Sequence, residues 1–79
     1  MKKHIAVAWD TFVQDVLPID ASPIQISETR KAFYAGARAS MSLMQQFALQ
    51  QEEIAVVAVE EMERELQQFA KDVEEGRIS

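Results

Sequence analysis

The sequence predicts an all-α fold of three helices, and three observations carry that prediction. Apolar residues recur at spacings of three and four along every long segment, with no sustained alternation. Of the two Pro and two Gly residues, only Gly36 falls inside a long segment. The chain of 79 residues has no Cys, so its stability must come from packed helices or from association with other chains. The expected arrangement is one helical domain over 1–79, with helices at about 3–16, 23–48 and 51–75. A short N-terminal helix would precede a long helical hairpin, and the whole would assemble as a homo-oligomer.

The first helix is marked by Ile5, Trp9, Phe12 and Val16, whose spacings of four, three and four place them on one face. Leu17-Pro18 closes it, because the residue before a proline avoids the helical region. The second helix has a strong start. Ser22 suits the N-cap, Pro23 the first helical position, and Gln25 the far corner of a capping box. Its core line reads Ile26, Phe33, Ala37, Met44 and Phe47, and the small pair Gly36 and Ser40 would admit a close neighbour. A turn is expected near Leu49-Gln50, where Glu52 and Glu53 would then fall in a new first turn favoured by the helix dipole. In the third helix Ala55, Val59, Met62, Leu66, Phe69 and Val73 follow a four-three rhythm, a coiled-coil-like seam that ends at Gly76.

Apolar residues make up 48% of the chain, more than one stripe per helix requires. The surplus lies off the main lines, at Leu43 on the second helix and at Ile54, Val56 and Val57 on the third. These four are the expected oligomer interface. A wide monomer core with exposed alanines is the alternative.

Charge bounds the function. The net charge of −5 argues against general nucleic-acid binding. Its distribution is uneven: residues 51–79 carry nine acids against three bases, while residues 23–50 carry Glu28 against Arg30, Lys31 and Arg38. Lys2 and Lys3 precede an apolar run that Asp10 ends too early for a signal peptide, and no segment reaches the roughly 20 apolar residues of a membrane span. A cytoplasmic protein with no membrane association is expected, or one of the host cytoplasm if the chain is phage-encoded.

No catalytic constellation emerges, so an enzyme is not expected. There is no Cys nucleophile, the lone His4 has no Ser placed near it, and Gly-rich phosphate loops are absent. No cofactor is expected, and no metal. Glu61 and Glu65 share a side of the third helix but fall short of the ligand number that hard cations need. One stripe stands apart. Arg30, Tyr34 and Arg38 are spaced i, i+4, i+8 along one edge of the second helix, with Lys31 beside them. Two guanidiniums flanking a phenol suit phosphate oxygens and a stacked base. The competing reading pairs both arginines with the acidic third helix and leaves Tyr34 to seal the core edge.

The run Glu28-Thr29-Arg30-Lys31-Ala32-Phe33-Tyr34-Ala35-Gly36-Ala37 resembles a segment of the form E-x-R-R/K-A-F-Y-x-G-A found in a group of small helical proteins encoded by phages and prophages. The resemblance extends over most of the chain: a first helix with Trp and Phe, a Leu-Pro junction, and a Glu-rich last helix ending in Gly. In that group a Ser or Asp caps the second turn, where this chain has Gln50. The resemblance implies a phage context rather than a mechanism, and small acidic phage proteins without catalytic residues often act by binding stoichiometrically. An oligomer that sequesters a nucleotide second messenger of host antiviral defence is the leading expectation, with Arg30, Lys31, Tyr34 and Arg38 as the ligand-binding residues. A protein–protein inhibitor of a basic host defence factor (anti-CRISPR-like), or a phage assembly accessory protein, is the alternative.

Overall fold

The computed structural model describes residues 1–76 and contains three α-helices: α1 (His4–Asp15), α2 (Pro23–Ala48) and α3 (Glu52–Glu74). No strand occurs among the described residues. The expected tail Arg77-Ile78-Ser79 lies outside them. The chain divides into two compact units, Met1–Ser42 and the segment from Leu43 onward, with α2 contributing its last six residues to the second.

Local chemistry sets the helix boundaries. The α1 ladder opens with the Val7 amide donating to the Lys3 carbonyl at 3.1 Å, and its last bond runs from the Val16 amide to the Phe12 carbonyl at 2.9 Å. Pro18 then takes the chain into a turn closed by the Ala21 amide on the Pro18 carbonyl, 3.1 Å. Ser22 caps α2 as expected: its Oγ accepts the Gln25 amide at 3.1 Å, satisfying one of the donors that a helix start leaves without a partner. This bond is the half of a capping box that fixes where the helix begins.

The break between α2 and α3 falls where the sequence places it. The Leu49 and Gln50 amides bond three residues back, to Gln46 and Phe47, which tightens and ends α2. Gln51 is extended, with φ −60° and ψ 146°, and Glu52 and Glu53 occupy the first turn of α3. At the other end Gly76 adopts a φ of 77°. This left-handed conformation is open to glycine without strain, so Gly76 is the residue type that this helix stop requires.

In the first unit, α1 and α2 pack antiparallel around a small aromatic cluster. Trp9 stands 5.3 Å from Phe33, ring centre to ring centre, and 5.7 Å from Phe12, while Phe12 and Phe33 are 5.2 Å apart. Towards the end of α1, Val13 and Leu17 share a hollow with Ile26; the segment at its start shares one with Met41. Trp9, 6% exposed, is the one buried side chain among the described residues. The expected core lines are covered at Trp9, Phe12, Phe33, Ala37 and Phe47, and open at Ile5, Val16, Ile26 and Met44.

In the second unit no side chain of α3 is fully buried. Ala55, Ala58 and Met62 are half-covered, whereas Leu66 is 68% and Phe69 55% exposed. The seam expected from the four-three rhythm is therefore only partly covered, and its lower half stands open. No helix among the described residues is long and apolar enough to cross a membrane.

Candidate functional site

Helical periodicity brings three of the four expected ligand residues together. Ser27, Arg30, Lys31 and Tyr34 lie three, one and three residues apart on α2, so their side chains leave the same side of the cylinder. They line one open hollow of about 330 Å³. The Arg30 guanidinium carbon sits 5.6 Å from the centre of the Tyr34 ring, within cation–π range. Tyr34 is half-buried, and its ring meets Phe33 edge-on at 6.2 Å. The aromatic cluster thus holds the base of the ring, and Arg30 rests on what remains open.

The charges differ in their commitments. Lys31 donates to Glu28 Oε1 at 3.2 Å, one turn back on the same helix, and both side chains stay largely exposed. Such a pair contributes little to stability and is readily exchanged for a better anion. Arg30 and Arg38 form no ion pair among the described residues. Arg38, one turn beyond Tyr34, is exposed and does not line the hollow. Ser27, which the periodicity reading passed over, adds a hydroxyl at the hollow's edge. It sits at i−3 from Arg30, so the same spacing rule that found Tyr34 reaches it.

Two of the four expected interface residues share a hollow. Ile54 and Val57 line a second hollow, about 340 Å³, together with Ala58 and flanked by Glu53 and Glu61. Val56, two residues on from Ile54, projects from the far side of α3. Leu43 belongs to the end of α2. All four stay open, at 51% for Ile54, 52% for Val57, 51% for Val56 and 41% for Leu43. Among the described residues no three His, Asp or Glu side chains gather as a metal site, Glu61 and Glu65 included.

Chemically, the α2 hollow offers a guanidinium, an ammonium, a hydroxyl and an aromatic face, with no carboxylate among its lining residues. Guanidinium, ammonium and hydroxyl groups beside an aromatic face are the groups that suit an anion carrying a ring. No protein-family model matches the chain, and comparison with curated proteins and with solved structures returns no match.

Proposed function

We propose that the protein is a non-enzymatic, self-associating, phage-type binder that sequesters a small anionic ligand, a nucleotide second messenger of host antiviral defence. The observation that carries this reading is the gathering of Ser27, Arg30, Lys31 and Tyr34 around one hollow, with the Arg30 guanidinium already stacked on the phenol. Arg30 and Lys31 take phosphate oxygens, and the Tyr34 ring carries the base. Arg38 adds charge from one turn away. A ligand that binds only the folded chain raises its melting temperature by mass action, by about 2.7 kcal/mol of stability at a hundred times Kd.

The test is a thermal melt against cyclic and linear nucleotides, followed by calorimetric titration of any that stabilise. Arg30→Ala removes a charge-assisted contact and is expected to weaken binding by roughly 1.5–3 kcal/mol. Tyr34→Phe is expected to bind nearly as the parent and Tyr34→Ala much less, since the ring rather than the hydroxyl makes the stack. If no nucleotide shifts the parent's melt, the reading fails.

A second reading has its own observation. The Ile54–Val57 hollow on α3 has an apolar floor between Glu53 and Glu61, a suitable seat for an apolar side chain on a basic protein surface. On that reading the chain inhibits a basic host defence protein or serves as an assembly accessory. Failure of every nucleotide, with retention of a basic host protein that Glu53→Lys/Glu61→Lys abolishes, would favour it.

A further inference from the structure

Tyr34 lines two hollows. Ser27, Arg30 and Lys31 border the first; Lys2, Lys3 and His4, with an apolar wall of Met1, Ile5, Ala6 and Met41, border the second, of about 360 Å³. Some thirty residues of sequence separate the two sets of cations, yet the antiparallel packing of α1 on α2 returns the start of α1 to the level of Tyr34. No Asp or Glu lines either hollow. The nearest acid along α1 is Asp10, six residues beyond His4 and so about 9 Å further along the helix axis. Among the described residues Lys2 and Lys3 form no ion pair. In a chain of net charge −5, the first unit carries five Lys and Arg side chains (Lys2, Lys3, Arg30, Lys31 and Arg38) and four carboxylates, of which Glu28 pairs with Lys31.

We propose that Lys2, Lys3 and His4 form a second lobe of the ligand site, divided from the first by the Tyr34 ring, and that the ligand is a multiply phosphorylated nucleotide whose phosphates reach both lobes. This rests on the reading of the Arg30–Tyr34 hollow as the ligand site and narrows its ligand class. One phosphate meets the cations of one lobe only. A chain of phosphates passing the edge of the ring meets both, and each added charge-assisted contact raises affinity. Neutral nucleosides gain nothing from the second lobe.

The experiment is calorimetric titration of the full chain with AMP, ADP and ATP at low ionic strength. Parent protein is expected to favour ATP over AMP at least about tenfold, the ratio that roughly 1.4 kcal/mol of added contact supplies. The double variant Lys2→Ala/Lys3→Ala is expected to lose that preference while binding AMP within about twofold of the parent and keeping the parent's circular dichroism. A control variant, Arg64→Ala/Lys71→Ala, removes the same charge from α3 and is expected to keep the preference. Equal affinity for AMP and ATP in the parent, an unchanged preference in Lys2→Ala/Lys3→Ala, or the same loss in the control, would each overturn the second lobe and leave the first hollow standing. Absence of binding by all three nucleotides would overturn the second lobe; the first hollow falls as a ligand site only if the cyclic nucleotides also leave the parent's melt unchanged.

Discussion

Trp9 is where the first unit concentrates its burial, since its ring meets both Phe12 and Phe33 and only 6% of it is exposed. Replacing a buried aromatic residue with Ala costs roughly 3–5 kcal/mol, transfer and cavity together. A chain of this size has a total stability towards the low end of roughly 5–15 kcal/mol. Trp9→Ala is therefore expected to leave the first unit largely unfolded at 25 °C, as read by urea titration followed by far-ultraviolet circular dichroism. A loss below about 1 kcal/mol would mean that the aromatic cluster is not what holds α1 to α2. The same cluster fixes Tyr34 through Phe33, which couples the site to the core. That coupling explains why Arg30, exposed and bonded to nothing deeper, is the cleaner probe of binding, and why Tyr34→Phe must accompany Tyr34→Ala.

At the scale of the element, local signals were legible and distant ones were not. Ser22, Pro23, the Leu49–Gln51 break and Gly76 act through bonds to residues three or four away, and each boundary fell within about a residue of its expected place. The Arg30–Lys31–Tyr34 grouping was legible for the same reason, because one helix supplies it. Lys2, Lys3 and His4 were not seen as partners of Tyr34, since only the pairing of two helices brings them there. Gly36 marks another limit of the sequence. Its spacing from Ser40 suggested a close helix contact, but a Cβ built at Gly36 meets nothing within 4 Å in this chain. With no steric cost, Gly36→Ala is expected to stabilise α2 by about 0.5–1 kcal/mol through helix propensity. A destabilised variant in chemical denaturation would reveal that another chain packs against this position.

At the scale of the whole molecule, the question is what covers the apolar surface of α3. Leu66, Phe69, Val57 and Ile54 are each more than half exposed, spread over about half the circumference of α3, and exposed apolar surface of this extent marks an interaction site. The four-three rhythm that failed to bury Leu66 and Phe69 within one chain is the pattern by which helices of separate chains pack. On the proposed self-association, copies of the chain cover what one copy leaves open. Sedimentation at micromolar concentration is then expected to give more than one subunit's mass, with a melting temperature that rises with concentration. Leu43→Glu and Val57→Glu each place a charge on the surface proposed to be covered and are expected to shift the protein towards monomer, because burying an unpaired carboxylate costs several kcal/mol. Leu66→Ala sharpens the comparison. In an isolated chain a side chain 68% exposed has little burial to lose, so the substitution is nearly silent; beneath a partner it costs roughly 2–5 kcal/mol. A parent that sediments as a monomer, together with a silent Leu66→Ala, would remove self-association and return the α3 surface to a foreign partner.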